Sequence, residues 1–242
     1  MNIDLNCDLG EGAGQDDALM PLITSANVAC GLHAGGPAEM AHVLRLAREH
    51  GVAVGAHPGY ADREHFGRRE LMLAPGEVEA LLLYQIGALA ALAQAEHVPL
   101  RHVKLHGALY NQAAQDRKLA RTVARAVATF SRELILVGLA GSLLLEAGRE
   151  AGLRVAGEGF PDRAYNPDGT LMPRARPGAV LESAEAVAAN AVRLATEGVL
   201  TPRGRVPVET LCIHGDGPHA VEFARAVRAA LIQHGFSLSA LK

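Results

Sequence analysis

Residues 26–56 read ANVACGLHAGGPAEMAHVLRLAREHGVAVGA and contain every part of one strand–helix–strand unit. The two ends of this stretch, residues 26–30 and 52–56, are nearly continuous apolar runs, the pattern of strands that are buried on both faces of a parallel sheet. Between them, Pro37 suits the first turn of a helix that ends at Gly51. The apolar stripe of this helix consists of Met40, Val43, Leu44 and Ala47.

The same alternation of apolar runs and amphipathic stretches continues along the whole chain. Short apolar runs predict strands at residues 3–7, 26–30, 52–56, 102–105, 134–137, 153–156 and 211–213. A helix or a long loop follows each run, which predicts an α/β protein with parallel strands. We expect residues 1–242 to form a single domain, because this length suits one large α/β domain and is short for two. Periodicity alone leaves open a closed barrel or a doubly wound open sheet.

Composition and charge argue against several functional classes. The 242 residues are 49% hydrophobic and 20% charged, and their formal net charge of −3 gives no electrostatic basis for binding nucleic acid or an anionic membrane. Aromatic residues make up 4% and tryptophan is absent, so platforms for base stacking are not expected. The composition is that of an ordinary globular protein with a full core.

The predicted location follows from the N-terminus, one apolar stretch and the cysteines. The chain begins MNIDLNCD, with neither a basic nor an apolar signal region. Residues 78–95 are apolar-rich but interrupted by three polar side chains, so we expect a core helix and no membrane span. The three cysteines are an odd number without a C-x-x-C pair, which favours reduced thiols. The predicted location is the cytoplasm.

Polar side chains follow six of the seven predicted strands. Active sites of parallel α/β folds form where the carboxyl ends of the strands meet, so we expect these side chains to share one pocket. Four histidines at the ends of four different strands are hard to explain by packing, because burying them unpaired is costly. The candidate catalytic residues are Asp8, His33, His57, Lys104, His106, His214 and Asp216. The candidate substrate-binding residues are Asn6, Glu11, Glu158, Asp162 and Arg163.

Two cations in this set have alternative roles. Period-two alternation places Lys104 and His106 on one face of the fourth strand, where a buried ammonium needs an anionic partner. That partner is either an anion of the substrate or a carboxylate of the protein, Asp8 or Glu158. Arg163 is either a second cation for the substrate or the partner of the adjacent Asp162.

Long loops and glycine clusters are further candidates for parts of the site. Residues 57–74 and 160–182 are long irregular segments, so they are candidate lids. Gly10-Glu11-Gly12-Ala13-Gly14 and Gly35-Gly36 could offer backbone N–H groups to an anion. Neither cluster is a Walker A loop, and the chain contains no recognisable nucleotide motif.

Six longer motifs resemble those of the LamB/YcsF family, in order and over essentially the whole chain. They are residues 4–12 (DLNCDLGEG), 25–35 (SANVACGLHAG), 55–60 (GAHPGY), 103–111 (VKLHGALYN), 164–170 (AYNPDGT) and 213–216 (IHGD). Two positions depart from the family pattern. The segment after Glu11 is shorter than usual, and Leu105 stands where the family typically has proline; neither change removes an ionisable group.

The resemblance implies a TIM-like (β/α)7 barrel related to the polysaccharide-deacetylase and glycoside-hydrolase barrels. It also implies a hydrolase that opens the lactam ring of 5-oxo-L-proline to give L-glutamate, with ATP as co-substrate and Mg accompanying the nucleotide. Two partner subunits of such a 5-oxoprolinase, B and C, are implied as well. The resemblance does not assign the ATP site to this chain or to a partner.

Two other functions are consistent with the same residues. The first is a stand-alone metal-dependent deacetylase or amidohydrolase acting on a small amide or carbohydrate, with metal ligands drawn from Asp8, His33, His57 and His214. No H-x-H or H-x-x-x-H motif supports such a site locally, so its ligands would have to converge from separate strands. The second is a non-catalytic subunit whose polar pocket only holds a ligand.

Overall fold

Seven parallel strands close into a barrel in the computed structural model, which describes residues 1–242. The strands of the whole chain are β1 Asn2–Leu9, β2 Ser25–Ala29, β3 Ala53–His57, β4 Leu100–Lys104, β5 Ile135–Leu139, β6 Arg154–Gly159, β7 Val199–Thr201, β8 Gly204–Val206, β9 Thr210–Ile213 and β10 Ser237–Leu238. The barrel order is β1–β2–β3–β4–β5–β6–β9, and β9 also pairs with β1. Asp4 of β1 and Glu158 of β6 are both register partners of Thr210, so the ring is closed.

Helices surround this barrel and pack their apolar stripes against it. They are α1 Asp16–Leu19, α2 Pro37–His50, α3 Pro75–Ala95, α4 Gly107–Gln115, α5 Arg117–Phe130, α6 Leu143–Glu150, α7 Ala184–Glu197 and α8 Ala220–Gln233. The predicted stripe of α2, Met40, Val43, Leu44 and Ala47, is buried. One hydrophobic cluster of 57 buried residues joins the outer faces of the strands to the helices.

One helix, α3, meets the length and composition expected of a membrane span. Its inner face, however, is packed, because Val78, Leu82, Ile86 and Leu89 are buried in the main hydrophobic cluster. This is the core packing that the sequence predicts for residues 78–95.

All seven predicted strands are present, with ends shifted by at most three residues. The short hairpin of β7 and β8 and the two-residue strand β10 were not predicted, because segments of two or three residues carry too little periodicity. The two candidate lids differ in structure. Residues 57–74 contain one 3-10 turn, at Arg63–His65, whereas residues 160–182 are held by the bridges Arg163–Val180 and Tyr165–Leu171.

The interior of the barrel is polar, unlike the branched aliphatic filling that is usual in such folds. Alternation along β1 places Leu5, Cys7 and Leu9 in the outer core, whereas the intervening residues Asp4, Asn6 and Asp8 hydrogen-bond to side chains of other strands. Gly55 of β3 makes room for one such side chain, because a Cβ atom there would come within 2.1 Å of the His102 ring.

Candidate functional site

A cavity of about 380 Å³ opens at the carboxyl ends of the strands. Its volume falls in the range of small-molecule sites, and active sites of closed parallel barrels lie at this end. Of the candidate residues, Asp8, His57, Lys104, His106, Arg163 and His214 line the cavity.

Lys104 lines this cavity and is almost completely buried. Its Nζ atom is 2.8 Å from Asp8 Oδ1, 3.0 Å from Glu158 Oε1 and 2.9 Å from Cys212 Sγ. Burial lowers the pKa of Lys104, but the adjacent Asp8, Cys212 and Glu158 raise it well above its usual value. Although burial raises the pKa of Asp8, His57 and Lys104 hold it well below its usual range. The ion pair is therefore present, and Lys104 contacts both carboxylates considered for it.

Two further side chains complete the surroundings of Glu158. Asn6 donates from Nδ2 to Glu158 Oε1 at 3.0 Å, and the hydroxyl group of Tyr110 donates to Glu158 Oε2 at 2.7 Å. Burial, followed by the charge of Glu158, raises the pKa of Tyr110 well above its usual value, so this hydroxyl keeps its proton. Both oxygens of Glu158 thus have protein donors.

A second group lies beside Lys104 and joins Glu11, His33, His57 and His106. His106 Nδ1 is 3.0 Å from His57 Nε2 and 3.2 Å from Glu11 Oε1, while His33 Nε2 is 3.4 Å from the same oxygen. The His33 and His106 rings stack with a centroid separation of 3.8 Å. Although burial raises the pKa of Glu11, the histidines hold it well below its usual range.

Burial and the neighbouring charges act differently on the histidines of this group. Burial lowers the pKa of His33 to about 4, and it also lowers that of His106. Burial would lower the pKa of His57 as well, but the Asp8 carboxylate raises it above its usual value.

His214, which lines the cavity, forms a separate pair with Asp162. Its Nδ1 atom lies 2.7 Å from Asp162 Oδ2, and its ring stacks on Phe160 at 5.5 Å between centroids. Burial raises the pKa of Asp162, but the charge of His214 brings it below its usual value. A carboxylate that holds one ring nitrogen of a histidine orients the other for proton transfer.

Two candidates at the rim have partners that the sequence did not indicate. Asp216 pairs with Arg68, which lines the cavity although Asp216 itself does not. Arg163 does not pair with Asp162; its guanidinium donates to the backbone carbonyls of Ala179 and Met172. Burial lowers the pKa of Arg163 to about 10.

Several residues of the site were missed by reasoning from sequence. Arg68 and Arg174 line the cavity from the two long loops, where no periodicity marks them. His102, whose role is ambiguous from sequence, is buried inside the barrel and contacts Asn27 Oδ1 at 2.7 Å. His102 lies two positions before Lys104, so period-two alternation places both side chains on the same face of the strand and could have identified His102 as an inward residue.

Two groups of side chains are close enough to hold a metal ion. The first is Glu11, His33, His57 and His106, and the second is Asp8, Cys212 and His214. The metal ligands considered from the sequence are therefore divided, with His33 and His57 in the first group and Asp8 and His214 in the second.

The sequence profile of the LamB/YcsF family matches residues 3–242. The chain belongs to the LamB/YcsF family. It is 55% identical to the A subunit of 5-oxoprolinase from Symbiobacterium thermophilum, over 98% of this chain and 95% of that protein. The resemblance stated from the sequence motifs is confirmed.

Solved structures agree with this assignment. The lactam utilization protein of Thermus thermophilus is 50% identical, has a TM-score of 0.91 and covers the whole of both chains. A peptidoglycan deacetylase of Bacillus subtilis matches 98% of this chain and 86% of its own, with a TM-score of 0.51 at 11% identity. That likeness concerns the fold alone, and it confirms the predicted relation to the polysaccharide-deacetylase barrel.

Proposed function

We propose that this chain is the A subunit of an ATP-dependent 5-oxoprolinase and takes part in opening 5-oxo-L-proline to L-glutamate. The observation that carries the proposal is the likeness to a relative of that name, at 55% identity over 98% of the chain. The cavity is consistent with it, because a volume of about 380 Å³ suits a small polar molecule. We also propose that residues 1–242 act as one domain in the cytoplasm.

The roles of the cavity residues follow from their charges. The carboxylate of 5-oxoproline needs a cation, and Arg68, Arg163 and Arg174 are among the residues that line the cavity. Lys104 is already shared between Asp8 and Glu158, so it is placed to balance charge near the reacting group. We assign general acid–base catalysis to His214, because Asp162 orients its ring.

ATP is proposed as co-substrate of the assembly, with Mg accompanying the nucleotide. A lactam is a stabilised amide, and phosphorylation of its oxygen makes ring opening feasible. This chain has no Walker A loop, so we propose that the partner subunits, B and C, are needed for activity.

Reconstitution tests this proposal. ATP-dependent glutamate release is measured with this chain alone, with B and C alone, and with all three proteins. We expect turnover only in the complete mixture. His214→Asn should abolish it, whereas His219→Asn, at an exposed histidine paired with Glu222, should leave it unchanged. Robust turnover by this chain alone, or by B and C without it, would contradict the proposal.

A second candidate function is a stand-alone metal-dependent amidohydrolase. The observation that favours it is the group of Glu11, His33, His57 and His106 next to the cavity. Metal-dependent release of acetate or an amine by the isolated chain, without ATP, would support this candidate and displace the first.

A further inference from the structure

Four consecutive strands each contribute one side chain to a single point beside the cavity. Glu11 follows β1, His33 follows β2, His57 ends β3 and His106 follows β4. One atom of each side chain lies within 4.8 Å of the corresponding atoms of the other three. The ligand atoms of tetrahedral zinc lie roughly 3.3 Å apart when the metal–ligand bonds are about 2.0–2.1 Å. The shortest separations here, 3.0, 3.2 and 3.4 Å, bracket that value.

Backbone carbonyls fix the orientation of two of the histidines. His57 Nδ1 lies 2.8 Å from the carbonyl oxygen of Lys104, and His106 Nε2 lies 2.8 Å from that of Phe66. A carbonyl oxygen only accepts, so each of these nitrogens carries a proton and, in the neutral ring, the opposite nitrogen has a lone pair. The two lone-pair atoms, His57 Nε2 and His106 Nδ1, then face each other at 3.0 Å. Histidines that ligate metals are held by such second hydrogen bonds.

The other two members contain buried polar atoms without hydrogen-bond partners. Glu11 Oε1 lies 3.2 Å from His106 Nδ1 and 3.4 Å from His33 Nε2, but neither approach forms a hydrogen bond, and both ring nitrogens of His33 are likewise without a partner. The His33 side chain is 0% exposed and that of Glu11 is 5% exposed. Leaving such groups unpaired in a protein interior is costly, and a buried carboxylate needs a cation or strong donors. In the neutral rings, lone pairs and a carboxylate oxygen therefore converge at a point where neither lysine nor arginine pairs with Glu11.

The backbone around the group is shaped to admit these rings and little else. A Cβ atom at Gly67 would approach His33 Cβ to 2.9 Å and His106 Cδ2 to 3.0 Å. A Cβ atom at Gly59 would lie 3.0 Å from His33 Nδ1. The adjacent Phe66, whose carbonyl holds His106, has a φ of 55°, a left-handed conformation that is strained for a non-glycine residue.

We propose that Glu11, His33, His57 and His106 bind one divalent transition-metal ion of the zinc class. Three imidazoles and one carboxylate suit zinc and its close relatives and are unsuited to magnesium or calcium, which prefer oxygen ligands. The site goes beyond the proposed function, for which only the Mg that accompanies ATP is needed. Because His57 and His106 also line the cavity, an ion at this wall supplies a Lewis acid there.

The neighbouring group of Asp8, Cys212 and His214 is not an equivalent candidate. The ammonium of Lys104 lies 2.8 Å from Asp8 Oδ1 and 2.9 Å from Cys212 Sγ, so a cation already occupies the position between these ligands. This difference provides a control, because Cys212→Ser should leave the proposed site unchanged.

Metal binding by the full chain is the direct test. The protein is stripped with a chelator, loaded separately with Zn²⁺ or Co²⁺, dialysed, and analysed for metal by mass spectrometry. We expect a single ion per chain, with the visible spectrum of four-coordinate Co²⁺ and no thiolate-to-cobalt charge-transfer band. Metal well below one per chain would overturn the proposal and indicate a proton between His57 and His106. A strong charge-transfer band would overturn it too, since it would place the ion at Cys212.

Variants then assign the ligands. Glu11→Gln and His106→Asn should each weaken Co²⁺ binding at least about 100-fold, since even outer-shell changes cost 10–100-fold. Cys212→Ser and His102→Gln, at a buried histidine outside the group, should bind as the wild type does. Circular dichroism checks the fold of each variant. If the Glu11→Gln and His106→Asn variants fold and bind Co²⁺ with wild-type affinity, the assignment of these ligands is overturned. If either variant fails to fold, the metal content and the Co²⁺ spectrum of the wild-type protein decide whether the site exists. Metal binding is measured without ATP or partner subunits, so failure here is distinguishable from failure of the proposed oxoprolinase function.

Discussion

The Asp4 carboxylate in the lower interior of the barrel and the group of Glu11 and His33 at its mouth are both buried, but their polar atoms are satisfied differently. In the lower interior, the Asp4 carboxylate accepts hydrogen bonds from the hydroxyl groups of Thr24, Ser25 and Thr210, at 2.6–2.7 Å. At the mouth, Glu11 Oε1 and both nitrogens of His33 have no hydrogen-bond partner, although their side chains are equally inaccessible to solvent.

This difference distinguishes polar groups that stabilise the fold from polar groups that are suited to bind a ligand. A complete network needs nothing from outside, and removing one member strands the others. An incomplete network is destabilising in the free protein and is retained where a bound group completes it. Asp4 and Glu11, only seven positions apart, thus have opposite expected responses to substitution.

The largest effect is expected at Lys104, a cavity-lining residue whose ammonium pairs with two buried carboxylates. Lys104→Met leaves Asp8 and Glu158 without their ammonium, so we expect the free energy of unfolding to fall by about 3–5 kcal/mol. Urea denaturation measures this, with Lys118→Met, at an exposed lysine of α5, as the control. Near-normal stability without turnover in the reconstituted complex would instead support the anion-binding role predicted from the sequence.

A smaller loss is expected at Asp4. Asp4→Ala leaves the hydroxyls of Thr24, Ser25 and Thr210 without their shared acceptor, which should cost about 1–3 kcal/mol of unfolding free energy. Asp4 is not among the residues that line the cavity, so turnover per folded molecule should be retained. Asp17→Ala, at an exposed carboxylate, is the matched control and should change stability by less than about 0.5 kcal/mol. Loss of turnover in an Asp4→Ala variant of normal stability would contradict the distinction between the two regions.

The smallest effect concerns the packing of the mouth. Gly67 and Gly12 both have positive φ, 63° and 82°, so alanine is strained at either position. Only at Gly67 would the new Cβ atom meet neighbours, the Cβ atom of His33 and the ring of His106, whereas at Gly12 nothing lies within 4 Å. We expect Gly67→Ala to cost about 1 kcal/mol more than Gly12→Ala, because it also displaces the histidines. Equal melting temperatures for the two variants would show that the histidines at the mouth move to accommodate the added methyl group at no cost in stability.

The fold was predictable from sequence where periodicity is strong and local. The seven barrel strands and the stripe of α2 were found, because buried strands and amphipathic helices show clear patterns over five or more residues. Closure was left open, since the pairing of β9 with β1 depends on contacts about 200 residues apart.

Most residues of the site were predictable from the sequence, but which of them contact one another was not. Strand-end position placed His33, His57 and His106 together, but Glu11 was assigned to the substrate although it lies among these histidines. The alternatives for Lys104 could not be separated, because alternation gives the face of a strand and not the partner across the barrel. Arg68 and Arg174 lie in long loops, where sequence carries no comparable signal.

The hydrogen bond between Thr210 and Asp4 spans 206 positions, and that between Lys104 and Cys212 spans 108. In kinetic terms, contacts between residues so far apart in the sequence form only after the chain has closed a long loop between them. Until β9 enters between β6 and β1, both strands present open edges, and open edges invite pairing with other chains. Entry of β9 between β6 and β1 thus completes the polar interior and removes these open edges in one step.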